Sequence, residues 1–166
     1  MADFRIWSDE FPANGFMTRA QEFDQQAFGG SGDNVSPALQ WEGPPAETRS
    51  LALTVYDPDA PTGSGFWHWI VVNIPPDVRS LPRNAGKADG SLLPKGALQL
   101  RNDYARSASA ERRRHGATSR RYIFRIHALS AESLPLDANA TNAVAHFMTH
   151  LNEIDSATYT GLYELK

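Results

Sequence analysis

The stretch SLALTVYDPDAPTGSGFWHWIVVNI, residues 50–74, decides the fold of this chain. Residues 50–57 alternate between two sets of side chains, as in a strand whose successive residues point to opposite faces. Residues 66–74 are largely apolar on both faces, which is typical of a central strand that is covered on both sides. The prolines and glycines between the two runs predict a turn. The stretch therefore predicts two neighbouring strands joined by a loop.

Simple alternation assigns the side chains of both strands to faces. One face of the first strand is predicted to carry Leu51, Leu53, Val55 and Asp57, and the other Ala52, Thr54 and Tyr56. One face of the second strand is predicted to carry Phe66, His68, Ile70, Val72 and Ile74, and the other Trp67, Trp69, Val71 and Asn73.

Other parts of the chain show weaker or different patterns. The run RYIFRIHAL, residues 121–129, alternates again and predicts a third long strand. One amphipathic helix is predicted at about 141–152. Its apolar residues, at helical spacing, are Val144, Phe147, Met148 and Leu151. Residues 77–110 are predicted to be mostly loop, and the β-prone final run TYTGLYELK is predicted to be a terminal strand.

Composition narrows the class of protein. A chain of 166 residues with 41% apolar and 21% charged residues predicts a single globular domain over residues 1–166. The absence of cysteine excludes disulfides and a thiolate nucleophile and makes the cytoplasm the default location. No leader-like start and no apolar run of about 18 residues occur, so we expect neither secretion nor membrane insertion. The net charge of −3 argues against nucleic-acid binding, and no cofactor is predicted.

The residues best suited to chemistry surround the turn DPDAP. Asp57 and Asp59 lie in this turn, and His68 follows inside the next, apolar strand. If the strands are neighbours, Asp57 approaches His68, orients its imidazole and favours its cationic form, which would then face an incoming anion. The alternative is that the acids simply form the turn and that His68 is a core histidine with its hydrogen bonds satisfied.

Three motifs together resemble the phosphatidylethanolamine-binding protein family. They are SPALQWEG, SLALTVYDPDAP and GFWHWIVVNIPP, in this order, and RRYIFRIHAL continues the similarity. Within the family, the chain is most similar to the bacterial Raf-kinase-inhibitor-like branch. The resemblance implies a mostly β fold, a β-sandwich with a large central sheet, a smaller sheet and one or two small flanking helices. It also implies a pocket that accepts phosphate-like or acetate-like anions.

The same resemblance assigns residues to that pocket. Asp57, Asp59, His68 and Tyr122 occupy positions of the family motifs, and Arg121 matches the arginine of the family's His-Arg-Tyr element. The chain departs from the family where Arg120 replaces the histidine of that element and where Arg114 stands at an expected proline. The pocket is therefore expected to keep a positive group but to lose one imidazole.

Our leading hypothesis is a non-enzymatic binding protein with a small-anion pocket. In it His68 and Tyr122 donate hydrogen bonds, Asp57 and Asp59 organise the site, and Arg120 anchors charge. The ligand would be a phosphate, a phospholipid head group or a carboxylate. The family also suggests a kinase or protease inhibitor-like regulator, and it is compatible with a homodimer.

Two other functions stay open. One is a small hydrolase with His68 as general base, although the sequence has no evident nucleophile. The other is a protein-interaction module that uses the basic segment 106–125, which contains the run Arg112–Arg114. That run is also consistent with an ordinary solvated loop.

Overall fold

The computed structural model describes residues 3–17, 35–60, 62–103 and 120–163. These residues form eight strands and one α-helix. In chain order the elements are β1 (Arg5–Trp7), β2 (Leu39–Glu42), β3 (Ser50–Asp57), β4 (Phe66–Ile74), β5 (Ser80–Leu81), β6 (Leu98–Gln99), β7 (Arg120–Leu129), α1 (Asn142–Asn152) and β8 (Glu153–Tyr163).

The strands form two sheets. The smaller has the order β1-β2-β5, and the larger has the order β6-β4-β3-β7-β8 with β3 at its centre. All strand pairs within the sheets are antiparallel. The predicted mostly β architecture, with a large and a small sheet and a helix near 141–152, is confirmed. Among the described residues no helix is both long and apolar enough to cross a membrane.

The main core lies between the two sheets. Trp41 and Leu81 of the small sheet and Val55, Trp69 and Phe124 of the large sheet belong to one buried apolar cluster. The indole nitrogen Nε1 of Trp41 donates to the carbonyl oxygen of Val78 at 2.8 Å, so this large side chain is buried without an unsatisfied donor. The predicted faces of β3 are confirmed, because Leu51, Leu53 and Val55 belong to this cluster and Ala52 does not.

The predicted faces of β4 are wrong beyond its first residues, because two β-bulges interrupt the alternation. Val55 pairs with Trp69 but Tyr56 pairs with Trp67, so His68 is an extra residue between them. A bulge re-aims the side chains that follow it. Trp69 therefore belongs to the cluster between the two sheets, here called the inner cluster. Ile70 belongs to a second buried cluster, on the opposite, outer face of the large sheet. A second irregularity lies near the end of β4, where Ile74 returns to the inner cluster.

The outer face of the large sheet is partly covered by α1. Thr141 caps the helix, because its side chain accepts from the backbone N–H of Val144. The helix buries Ala145 and Thr149. The apolar stripe that predicted the helix is not its buried face: Phe147 and Leu151 are 61% and 62% exposed. Small residues face the sheet because they allow the helix to approach it closely.

The long strand β8 lies at one edge of the large sheet, and residues before β2 cover half of that edge. The backbone N–H groups of Asn14 and Met17 donate to the carbonyls of Thr160 and Leu162, at 2.7 and 2.8 Å. Leu162 returns a hydrogen bond to Gly15 at 2.8 Å. The half of β8 nearest its C-terminal end is therefore satisfied by main-chain partners, as an inner strand would be.

Gly65 determines how the turn enters β4, and we expect its replacement by alanine to be costly. Its φ is +77°, and a Cβ atom there would lie 2.2 Å from Oη of Tyr56, whose hydroxyl donates to Ser64. Gly65→Ala should lower the free energy of unfolding by about 2–4 kcal/mol through backbone strain and overpacking. Gly63 is the matched control, because its φ is +80° but no atom lies within 4 Å of its added Cβ.

Urea denaturation of both variants measures the steric part of this effect. Gly63→Ala should cost about 1 kcal/mol, from backbone strain alone. Equal losses in the two variants would contradict the close contact between Gly65 and Tyr56.

Candidate functional site

The candidate site lies where the ends of three neighbouring inner strands of the large sheet meet. Asp57 ends β3 and pairs with Phe66 at the start of β4, while Arg120 begins β7 on the other side of β3. The side chains of Asp57 and His68 are 0% exposed, and that of Arg120 is 1% exposed. The sequence prediction that the DPDAP turn and the next strand bring Asp57 close to His68 agrees with this geometry.

Asp57 is the centre of the site. Its Oδ2 atom accepts a hydrogen bond from Nη1 of Arg120 at 3.0 Å. The same Oδ2 lies 3.8 Å from Nε2 of His68, which is longer than a hydrogen bond but places the carboxylate directly beside the imidazole. Its Oδ1 accepts from the backbone N–H of Asp59 at 2.9 Å. Asp57 thus binds the turn and the first residue of β7 at once.

Arg120 provides the positive charge that the sequence predicted. This charge is paired directly with the carboxylate of Asp57. Its Nη1 is engaged by that carboxylate, whereas the buried Nε has no hydrogen-bond partner among the described residues. The N–H at Nε is therefore a donor left over within a buried site. A buried donor of this kind costs about 1–3 kcal/mol when nothing accepts from it.

Asp59 has a different role from Asp57. Arg121 donates to Asp59 three times, from its backbone N at 2.9 Å and from Nε and Nη2 at 3.0 Å each. These bonds, with the side-chain bonds first in size, hold the pKa of Asp59 below its usual value. Both side chains reach solvent, being 29% and 55% exposed. Asp59 therefore fastens the turn to β7 at the rim of the site.

Aromatic rings form the wall beside His68. The ring of Tyr122 meets the imidazole edge-on, with centroids 4.8 Å apart, and the ring of Phe66 lies 4.9 Å away. Tyr122 is fully buried and continues to Tyr163 at 6.2 Å. The five residues proposed from the sequence thus lie around one end of β3. The run Arg112–Arg114 lies outside the described residues, as does most of the basic segment 106–125.

A second polar network lies on the opposite face of the same sheet, and sequence reasoning missed it. His127 Nε2 is 2.8 Å from Oγ1 of Thr54, and His127 Nδ1 is 2.5 Å from Oε1 of Glu153. Burial, the largest cause, holds the pKa of His127 below its usual value. The hydrogen bond from His127 is the main cause that lowers the pKa of Glu153. Both shifts describe a neutral histidine donating to an ionised carboxylate.

Alternation in β3 and β7 does contain part of this signal. It places Thr54 and His127 on the same face of two strands that turn out to be neighbours. The contact with Glu153 depends on how β7 pairs with β8, and this pairing is irregular between Ala128 and Leu129 of β7. No local pattern in the sequence specifies that register.

Fold and site together define a class of protein: a two-sheet β-sandwich with a buried Asp, His and Arg cluster at the ends of the inner strands of its large sheet. The family model for phosphatidylethanolamine-binding proteins matches residues 7–164, which is nearly the whole chain. The chain belongs to the phosphatidylethanolamine-binding protein family.

Relatives agree with this assignment. The UPF0098 protein YbcL of Escherichia coli is 43% identical over 166 residues, covering 99% of this chain and 90% of YbcL. YbhB of the same organism is 42% identical over 135 residues, covering 81% of this chain and 85% of YbhB.

Solved structures give the same fold. The crystal structure of E. coli YbcL, described as a member of the mammalian PEBP family, matches with a TM-score of 0.94. It has 43% identity and covers 99% of this chain and 100% of that chain. A putative PEBP homologue from Chlamydia trachomatis matches with a TM-score of 0.81 at 24% identity, with 98% of each chain covered. This second likeness concerns the fold alone.

The buried ion pair between Asp57 and Arg120 should dominate the stability of the site. Asp57→Asn leaves the Arg120 charge buried without a counter-charge, so we expect a loss of about 3–5 kcal/mol in urea unfolding. Asp59→Asn is the matched control, because it breaks a partly exposed pair with Arg121 and should cost no more than about 1 kcal/mol.

A double variant tests the mechanism of that loss. Adding Arg120→Met to Asp57→Asn removes the orphaned charge and should restore part of the stability. If Asp57→Asn and Asp59→Asn cost the same, Asp57 is not the centre of the site.

His127 and Glu153 should make stability depend on pH. The folded pKa of His127 is depressed, so the unfolded chain takes up its proton first, and stability falls as pH drops below about 6.5, the ordinary histidine value. Glu153, whose folded pKa is also depressed, adds a loss at pH values below its ordinary 4.5.

Variants of two histidines isolate the first of these effects. His127→Gln should flatten the dependence between about pH 6.5 and 5, where each pH unit is worth up to about 1.4 kcal/mol. His150→Gln is the control, because His150 is exposed, and its variant should keep the wild-type slope. Urea midpoints measured from pH 8 to 5 give the comparison, and an unchanged slope in His127→Gln would contradict it.

Proposed function

We propose that this chain is a non-enzymatic binding protein whose buried site accepts a small anionic group. The observation that carries the proposal is the buried Nε–H of Arg120, which has no partner among the described residues. It lies on a side chain that Asp57 holds in place at 3.0 Å, with His68 3.8 Å from the same carboxylate oxygen. An anion oxygen is the natural acceptor for such a donor.

The charges of the site favour a small, weakly charged ligand. Asp57 compensates Arg120, and Asp59 compensates Arg121. These two pairs leave little net charge to attract an anion, so the affinity must come from directed hydrogen bonds. Phosphate-like and carboxylate-like groups present acceptor oxygens in the geometry that a guanidinium matches. A phospholipid head group offers the same chemistry as free phosphate, so both are candidate ligands.

Tyr122 and His68 complete the proposed pocket. Their edge-on contact at 4.8 Å keeps both rings in fixed orientations beside Asp57. We assign both as donors to the bound anion, with Asp57 and Asp59 as organising residues and Arg120 as the charge anchor. The aromatic neighbours exclude water, which strengthens each hydrogen bond to a charged group.

An enzymatic role is the less favoured proposal. In a small hydrolase His68 would act as general base and would need a nucleophile or water within hydrogen-bond reach. Two of its neighbours are the rings of Phe66 and Tyr122, neither of which is a nucleophile suited to hydrolysis. The cytoplasmic location, the homodimer, the kinase or protease regulator role and the interaction module of segment 106–125 stay predictions from the sequence and the family.

The proposal is tested by titrating phosphate, acetate and phosphoethanolamine at low salt, followed by calorimetry or NMR shifts. Wild-type protein should bind saturably. His68→Ala should abolish binding, and Tyr122→Phe, which removes only a hydroxyl, should weaken it about tenfold. Tyr159→Phe is the matched control, because that hydroxyl donates to backbone carbonyls of Ser8 and Phe11 instead.

Each outcome has a clear meaning. Unchanged affinity in Tyr159→Phe with loss in the other two variants supports the pocket. Absence of saturable binding to wild type, or equal affinity in wild type and both site variants, overturns it. Hydrolysis of a phosphate or carboxylate ester that disappears in His68→Ala would favour the enzyme instead.

A further inference from the structure

A cavity lies on the outer face of the large sheet. It has a volume of about 360 Å³ and is lined by Thr54, Tyr56, Trp67, Ile123, Arg125 and His146. The candidate anion site uses the inner face of the same strands, where Tyr122 and Asp57 point. The sheet itself therefore separates the two places. A volume of this size accommodates a small organic molecule.

Aromatic rings form one wall of this cavity. Tyr56 and Trp67 stack with centroids 4.2 Å apart and an interplanar angle of 29°. The imidazole of His146 lies 4.4 Å from the ring of Trp67. Desolvation, the largest cause, lowers the pKa of His146, so this ring is another flat, uncharged surface at neutral pH. Such a wall favours a planar, apolar ligand body.

Arg125 supplies the positive charge in the lining of this cavity. Its side chain is half-buried and forms no hydrogen bond or ion pair with any residue in the part of the chain that the structure describes. The nearest acid of the network, Glu153, is engaged by His127. A guanidinium beside an aromatic wall is suited to a planar carboxylate, which it binds with two parallel hydrogen bonds.

Thr54 lies directly opposite Arg125 on the neighbouring strand, and the network behind it fixes its polarity. A carboxylate only accepts, so the proton on His127 lies on Nδ1, which faces Glu153. The neutral ring then accepts at Nε2, and the Thr54 hydroxyl donates to it. The remaining lone pairs of Thr54 Oγ1 are left as acceptors, so a ligand must bring a donor.

We propose that this outer-face cavity binds a hydroxy-substituted aromatic carboxylate. The ring lies against Tyr56 and Trp67, the carboxylate pairs with Arg125, and the hydroxyl donates to Thr54 Oγ1. Cross-strand neighbours have Cβ atoms about 5 Å apart, and the arginine side chain extends beyond that. These two groups can therefore contact opposite ends of one aromatic ring.

The test compares three probes on wild-type protein: 4-hydroxybenzoate, benzoate and phenol. Binding is followed by calorimetry and by NMR shifts of the Trp67 indole N–H at low salt. We expect 4-hydroxybenzoate to bind most tightly, benzoate several-fold more weakly because it lacks the donor, and phenol at least about tenfold more weakly because it lacks the charge. This series needs no substitution.

Variants of Arg125 localise the site. Arg125→Met keeps the length of the side chain and should weaken 4-hydroxybenzoate at least about tenfold, whereas Arg125→Lys should retain part of the affinity. Arg5→Met is the matched control, because Arg5 is exposed on the small sheet, and it should bind as wild type does. His68→Ala should also retain binding, which separates this cavity from the anion site.

Three results would overturn the proposal. They are equal affinity for the three probes, full affinity in Arg125→Met, and loss of 4-hydroxybenzoate binding in His68→Ala. The last result would place the probe in the inner site. Failure of phosphate to bind wild-type protein concerns only the inner site and leaves this test unaffected.

Discussion

The ion pair between Asp57 and Arg120 is the interaction on which the rest of the site depends. Both side chains are almost completely buried, so neither charge is tolerated without the other. The pair joins the end of β3 to the start of β7, and the other oxygen of Asp57 holds the following turn through Asp59. One carboxylate therefore holds the turn and Arg120 together and lies beside His68.

A single extra residue in β4 brings two neighbouring aromatic side chains to the same face of the large sheet. The bulge at His68 places that ring and Trp69 on consecutive positions of the inner side, where Tyr122 and Asp57 also lie. On the outer side the same strands present Trp67 and Tyr56 as an aromatic wall. A regular strand would have placed His68 and Trp69 on opposite faces.

Local periodicity was enough to predict β3, β4, β7 and the helix, but only the second half of β8. The DPDAP turn was enough to bring Asp57 close to His68, whereas Tyr122 was assigned through the resemblance to the family motifs. The sequence did not reveal which face of β4 each residue occupies, since bulges depend on pairing with β3. The partner of His127 was missed for the same reason: the register of β8 brings Glu153 to it. The apolar stripe of α1 also did not identify the buried face of the helix, because Phe147 faces solvent.

The covered half of β8 has a consequence for the behaviour of the molecule in concentrated solution. A long strand at the rim of a sheet is a template on which another chain can add its own strand. Residues 14–17 occupy that template where β8 is most apolar, around Leu162, while the other half carries Glu153 and Asp155. Repulsion between these acids opposes edge-to-edge pairing of two β8 strands. The covering segment and the acids both oppose addition of a second strand along β8.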